Sequence, residues 1–296
     1  MALRPFHPET RIDRDRRGAD ALPASADSAP GASPGGALPT VAPTRIVGGS
    51  MAHRRAHGQI TDLRGVHVYD PAFRPQDAEA LRRFAAPDQR GPLVVEIGFQ
   101  LGRFARGYCT LHPEARYLGF EIRRKFVEQA DAFLERGGCT NRRLALCDAR
   151  EALPELVSAG SVHAIYALFP DPWWKSRHRK RRLIDREFAA LAAHLLVPGG
   201  ELLVKTDVLG YAAWAAGELA AVRGLEVHWL SDRTAGLPPS RRERGCIERG
   251  LPTWALRARR LDGVAVEILP ETNPFDTADD AALAASEPLA GDVRWR

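Results

Sequence analysis

Cysteine is scarce in this chain. Its four residues (Cys109, Cys139, Cys147, Cys246) stand apart among 296, with no Cys-x-x-Cys pair and no Cys/His spacing of the zinc-finger kind. That argues against a zinc site or any other metal centre and against a disulfide framework, and it fits a reducing, cytoplasmic compartment. Long apolar runs are missing too: none approaches the roughly 18 residues that a membrane span needs. The N-terminus carries arginines but no apolar h-region, so it does not read as a secretory signal. Neither sign of charge dominates. The 42 Lys and Arg against 37 Asp and Glu leave a formal +5, so the total predicts no polyanionic partner and only clustering of charge can. The dinucleotide fingerprint G-x-G-x-x-G is absent, as is a phosphate-cradling lysine after a glycine turn.

What is present suffices for one sizeable α/β domain or two small ones, since 45% of the residues are hydrophobic. Residues 1–44 are rich in Ala, Pro, Gly, Ser, Asp and Arg. Such a segment cannot bury enough surface to offset its ordering entropy, so it is expected to be disordered. It reads as a plain flexible tail, or as an RNA-touching arm through Arg4, Arg11, Arg14, Arg16 and Arg17. Residues 45–90 form an N-terminal extension, with Arg54, Arg55 and His57 in a polar stretch and a helix expected over Asp77 to Phe84. A domain follows over 91–262, and 263–296 is an acidic, Ala/Pro-rich tail expected to be weakly ordered.

Within the domain, strands alternate with helices. Strands are expected at Leu93 to Gly98, Arg116 to Ile122, Leu144 to Cys147, Val162 to Phe169, Leu202 to Thr206, Leu225 to Leu230 and Trp254 to Leu261. Helices are expected at Leu101 to His112, Arg123 to Arg136, Ile184 to Leu196 (stopped by Pro198-Gly199-Gly200) and Leu209 to Arg223, and Thr234 to Leu251 reads as a long polar, arginine-rich loop. The alternation predicts an α/β fold with a doubly wound, mostly parallel sheet. Ligands in such sheets bind at the carboxyl ends of the strands, near the switch in strand order. Acidic residues stand at or beside strand ends at Glu96, Glu121, Asp148, Asp171 and Asp207, and all are expected to ring one crevice.

The run Glu96-Ile97-Gly98-Phe99-Gln100-Leu101-Gly102 is a strand, a glycine turn and a helix start. It serves as a nucleotide-binding entry or as a purely structural turn. Glu121 falls where an acidic residue meets ribose hydroxyls, and Asp148 is placed to accept from an adenine amine. An acidic trio around an adenosine, with no phosphate-binding lysine, suits a cationic, phosphate-free nucleoside. S-adenosylmethionine fits that description better than NAD or ATP.

A second stretch, Phe169-Pro170-Asp171-Pro172-Trp173-Trp174-Lys175, begins where the fourth strand stops. Each proline fixes its own φ near −65° and pushes the preceding residue out of helical space, so Asp171 sits on a stiff turn. Six basic side chains follow within eight positions: Lys175, Arg177, Arg179, Lys180, Arg181 and Arg182, with His178 among them. A carboxylate, indole faces and a cationic run within fourteen residues suit a nucleobase on a phosphate backbone. Trp173 serves either to stack on a base or to pack.

These blocks, with Gly119-Phe120-Glu121-Ile122, Cys147-Asp148-Ala149 and Thr206-Asp207, resemble the successive motifs of the bacterial tRNA (guanine-N7-)-methyltransferase family. The likeness runs over roughly Gly91 to Leu261, with a fainter echo at Arg54 to Thr61. It implies the seven-stranded, Rossmann-like fold of class I S-adenosylmethionine-dependent methyltransferases. It implies a tRNA variable-loop guanine as substrate, cofactor contacts at Glu96, Glu121, Asp148 and Asp171, and substrate contacts at Lys175 and Asp207. The glycine turn adds Gly98 to the cofactor side. Asp171 is then the catalytic residue, holding the guanine through N1–H and its exocyclic amine, while the run Arg177 to Arg182 grips phosphates.

Two departures stand out. Gln100 occupies a position where the family has glycine, and a left-handed backbone there costs a non-glycine residue about 1–2 kcal/mol. The family's late Thr-Lys-Phe-Glu-x-x-Gly block appears as Ser240-Arg241-Arg242-Glu243-Arg244-Gly245-Cys246, which leaves Ser240, Arg241 and Glu243 as substrate-contact candidates. Two alternatives follow: a non-catalytic tRNA-binding relative, or a methyltransferase acting on something other than RNA.

Overall fold

The computed structural model describes residues 66–68, 75–173, 175–231 and 236–270. The expectations for residues 1–44, for Arg54 to Thr61, for Trp174 and for the tail beyond Pro270 lie outside these.

Short β-branched and apolar runs make the sheet. Leu93–Ile97 (β2) is the sequence LVVEI. Leu93 and Val95 are buried in one core and Val94 in the other, because successive side chains of a strand point to opposite faces. The other strands are Val66–Val68 (β1), Arg116–Glu121 (β3), Arg142–Leu146 (β4), Val162–Leu168 (β5), Leu196–Thr206 (β6), Val222–Arg223 (β7), Leu225–Trp229 (β8), Trp254–Arg260 (β9) and Glu267–Ile268 (β10). The helices are Pro75–Ala85 (α1), Arg103–Leu111 (α2), Arg124–Arg136 (α3), Ala149–Leu156 (α4), Arg186–Leu195 (α5), Leu209–Ala220 (α6) and Arg241–Glu248 (α7).

The main sheet runs β1-β4-β3-β2-β5-β6-β9-β8, and β7 pairs with β10 in a separate ribbon. Pairing is parallel from β1 through β6, while β9 is antiparallel to both β6 and β8. The seven expected strands are all there, and β1 adds an eighth at the edge beside β4. From β2 the chain winds outward one way to β3 and β4, then restarts at β5 and winds the other way. The topological switch therefore lies between β2 and β5.

Two cores flank the sheet. Residues such as Leu81, Leu153, Phe188 and Trp214 bring α1, α4, α5 and α6 onto one face. Phe104, Leu134 and Cys246 bring α2, α3 and α7 onto the other. Each fully buried Leu or Phe contributes about 1.5–3 kcal/mol, so the turns between strands and helices are anchored by packing on both sides.

The structure corrects three expectations. Thr234 to Leu251 is not all loop, because it contains α7, started by a capping box between Ser240 and Glu243. The strand after α5 begins at Leu196 rather than Leu202. It passes straight through Pro198-Gly199-Gly200, and a Cβ at Gly200 would lie 2.9–3.1 Å from the carbonyl oxygens of Val197, His163 and Val162. Cys109 on α2 and Cys139 after α3 are joined in a disulfide, with Cα atoms 5.5 Å apart. Helices α2 and α3 pack side by side on one face, a neighbourhood that a 30-residue sequence separation does not reveal. Among the described residues no group of three or more His, Cys, Asp or Glu is placed to hold a metal ion, and no helix is long and apolar enough to cross a membrane.

Candidate active site

The turn after β2 is built on left-handed residues. Gly98, Gln100 and Gly102 have φ of 77°, 48° and 70°. A Cβ on Gly98 would meet nothing within 4 Å, so this backbone faces open space. The turn is tied to the end of β3: Gly98 N–H donates to Phe120 O at 2.7 Å, and Gln100 N–H donates to Glu121 Oε2 at 3.2 Å. Arg123 N–H donates to Glu121 Oε1 at 2.9 Å. Glutamine has thus taken the left-handed geometry that the turn requires.

Glu96 and Glu121 end adjacent strands, 2% and 6% exposed. The Tyr117 hydroxyl donates to Glu96 Oε2. Burial pushes the Glu96 carboxyl up to about 8, against the Tyr117 hydrogen bond, and Glu121 adds to the rise. Burial also raises Glu121, and the N–H groups of Arg123 and Gln100 oppose it. Asp148 caps α4, its Oδ1 accepting from Arg150 N–H at 2.9 Å. The three acids expected around an adenosine therefore stand on three neighbouring strand ends.

Beside this turn opens a shallow crevice, lined in part by Glu96, Gly98, Gln100, Arg103, Ser240 and Arg241. Leu168, the last residue of β5, also lines it. Asp171 does not. It stands three residues beyond Leu168, exposed, with its Oδ2 3.8 Å from the Arg123 guanidinium. The turn that carries it is strained, since Phe169 has φ 56° and Trp173 φ 45°, unusual values for bulky residues. Phe169 N–H is held by Lys205 O at 2.7 Å.

The basic run forms a 3-10 turn, Ser176–Arg181. Lys175, Arg177, Lys180 and Arg181 are exposed, and His178 and Arg179 are half-buried. Trp173 is half-buried. The Arg181 guanidinium lies 5.1 Å from its ring centroid, and the His178 ring meets it edge-on at 5.6 Å. Lost solvation, then the charges of Arg181, Arg177 and Lys175, hold the His178 imidazole below its ordinary range. Arg182 does not belong with the phosphate-gripping residues. It is 2% exposed, and its Nε donates to Pro172 O at 2.9 Å.

The late block needs a second correction. Glu243 is 3% exposed. Its Oε1 accepts from Lys205 Nζ at 2.8 Å, and its Oε2 accepts from Ser240 N–H at 3.3 Å. It is a buried structural anion, not a group offered to a substrate. The Ser240 hydroxyl accepts from Glu243 N–H at 3.2 Å while the residue still lines the crevice. Asp207 is held by Arg242, whose Nε lies 2.9 Å from Oδ2. Sequence reasoning overlooked Lys205, Arg242, Arg103 and Arg150. The one available signal was Ser240-x-x-Glu243, which spells a capping box.

A family described as a putative methyltransferase matches residues 90–255. The tRNA (guanine-N(7)-)-methyltransferase of Anaeromyxobacter dehalogenans is 40% identical over 195 residues, covering 62% of this chain and 97% of that protein. The protein of the same name from Syntrophotalea carbinolica is 33% identical over 222 residues, covering 73% and 90%. That from Alkalilimnicola ehrlichii is 36% identical over 177 residues, covering 58% and 75%. With its strand order, its glycine turn and its Asp171 turn in these places, the chain belongs to the bacterial tRNA (guanine-N7-)-methyltransferase family.

Proposed function

We propose that this chain transfers a methyl group from S-adenosylmethionine to N7 of a guanine in the variable loop of tRNA. One observation carries the reading: the switch between β2 and β5 sets the glycine turn with Glu96 beside the turn with Asp171, and exposed cations follow directly.

The residues fit the cofactor. Glu121, oriented by two backbone N–H groups, is suited to ribose hydroxyls, and Asp148 to the adenine amine. The open backbone at Gly98 and the carboxyl of Glu96 would hold the amino-acid end. When bound, S-adenosylmethionine would supply an activated methyl on a sulfonium sulfur, with the neutral thioether as leaving group. Guanine N7 carries an in-plane lone pair, so no base is needed to unmask it. The protein's main work is alignment, which supplies up to about 7–11 kcal/mol in well-oriented systems.

Asp171 accepts from N1–H and the exocyclic amine of guanine and balances the positive charge that the purine gains. Lys175 and Asp207 fix the nucleotide, with Ser240 and Arg241 at the crevice wall. Arg177, Arg179, Lys180 and Arg181 grip the backbone, so affinity falls with salt. Gln100 and the altered block at Ser240 to Cys246 motivated a non-catalytic alternative. The turn forms with glutamine in place, which answers the backbone part of that motive.

The test is nucleoside analysis of tRNA incubated with the protein and methyl-labelled cofactor. Label in 7-methylguanosine is expected. Label in another nucleoside, or none while calorimetry registers cofactor binding, overturns the proposal.

A further inference from the structure

Arg182 closes the basic run in sequence but not in space. The 3-10 turn ends at Arg181, and Arg182 has the extended values φ −62° and ψ 138°. Its side chain turns inward and is among the largest fully buried ones. Its guanidinium lies 4.6 Å from the Trp214 ring centroid on α6. Its Nε donates to Pro172 O at 2.9 Å.

The position of that acceptor matters. Pro172 is buried and its φ is fixed by the ring. The next residue, Trp173, sits at φ 45°. The Pro172 carbonyl belongs to the peptide plane that joins these two residues. Rotating that plane is the way Trp173 would relax out of the left-handed region. A charge-assisted hydrogen bond to this oxygen blocks the rotation. At the other end of the turn, Phe169 at φ 56° is held by Lys205 O. Asp171 lies between the two fixed points.

Arg182 is itself held. Its carbonyl oxygen accepts from Arg150 Nη2 at 2.9 Å, and the same nitrogen reaches Leu183 O at 2.5 Å and Asp185 at 2.6 Å. Arg150 N–H in turn donates to Asp148. A continuous series of contacts joins the turn after β4, which carries Asp148, to the turn after β5, which carries Asp171.

We propose that Arg182 is a positioning residue rather than a phosphate contact: its bond to the Pro172 carbonyl and its stacking on Trp214 hold the Asp171 turn in register with the turn that carries Asp148. The inference rests on the assignment of Asp171 made above. A static core role would change stability alone, whereas a positioning role separates the rate from binding.

The experiment compares Arg182→Lys, Trp214→Phe, Arg181→Ala and Asp171→Ala in the full chain. The readouts are the single-turnover rate at saturating tRNA and cofactor, the cofactor Kd by calorimetry, and the salt slope of tRNA binding. Arg182→Lys keeps the charge and loses the planar fork. It is expected to lower the rate by about 10- to 100-fold, the scale on which small misplacements act, with the Kd and the salt slope unchanged. Arg181→Ala is expected to flatten the salt slope by about one phosphate contact.

An Arg182→Lys slope that flattens like that of Arg181→Ala, or an unchanged rate, overturns the proposal. If Arg182→Lys does not fold, Trp214→Phe decides. A slower rate with unchanged binding supports the proposal, and an unchanged rate overturns it. Asp171→Ala separates the two claims. An active variant overturns the assignment of Asp171 and this inference with it, whereas an inactive one beside a fully active Arg182→Lys overturns this inference alone.

Discussion

Arg242 holds Asp207 by one oxygen. Its Nε donates to Oδ2 at 2.9 Å, a second guanidinium hydrogen bond reaches the same atom, and Cys246 Sγ lies 3.9 Å from it. No described residue engages Oδ1. Asp207 directly follows β6, and Arg242 lies on α7, where it lines the crevice. A cation from α7 thus fixes the carboxylate through Oδ2.

Replacing Arg242 by Phe should therefore loosen Asp207. Hydrogen bonds to charged groups contribute about 1.5–3 kcal/mol, and both side chains are mostly buried, at 18% and 12% exposure. Urea unfolding should show a loss of that size. If Asp207 fixes the nucleotide as proposed, KM for tRNA should rise more than kcat falls.

Lys205 and Glu243 form a buried ion pair at 2.8 Å, with side chains 2% and 4% exposed. Removing one partner strands the other charge, at a cost of about 3–5 kcal/mol. Glu243→Ala is expected to cost at least that much, since it also removes half of the capping box on α7. The double variant Lys205→Met/Glu243→Met should recover part of the loss. Chemical denaturation measures both.

Glu96 gives stability a pH dependence. Its folded carboxyl is held near 8 by burial, while its ordinary value is 4.5. Between these values the folded chain binds more protons here than the unfolded chain. The contribution of this group is therefore complete below pH 4.5 and is lost as pH rises toward 8, at no more than about 1.4 kcal/mol per pH unit. Glu96→Gln should flatten this part of the profile. Unfolding of both proteins from pH 5 to 8 tests it, and a wild-type-minus-variant difference that is constant with pH would contradict it.

The sheet was readable because buried parallel strands are near-continuous apolar runs, as in Leu93–Ile97 and Val162–Leu168, broken only by Glu96 and His163. Helix α4 escaped notice because it has only eight residues and Pro154 lies inside it. Helix α7 was hidden by its arginines, although its cap was spelled out. The acids at the strand ends could be picked out because topology alone puts them there. Their partners could not. Tyr117 lies 21 residues from Glu96, Arg242 lies 35 from Asp207, and Glu243 lies 38 from Lys205. Composition also could not separate Arg182 from Arg181, because a single change in backbone angles at the end of the 3-10 turn sends one side chain inward and leaves the other exposed.

The proposed methyl transfer depends on the carboxylate on the strained turn between Phe169 and Trp173. The most direct measurement is the single-turnover methylation rate of Asp171→Ala at saturating tRNA and cofactor, with tRNA affinity measured in parallel. The rate should fall by at least about 100-fold, the scale of misaligned or uncompensated reactants, while affinity for tRNA stays near that of the unaltered protein. A rate close to that of the unaltered protein would contradict the account.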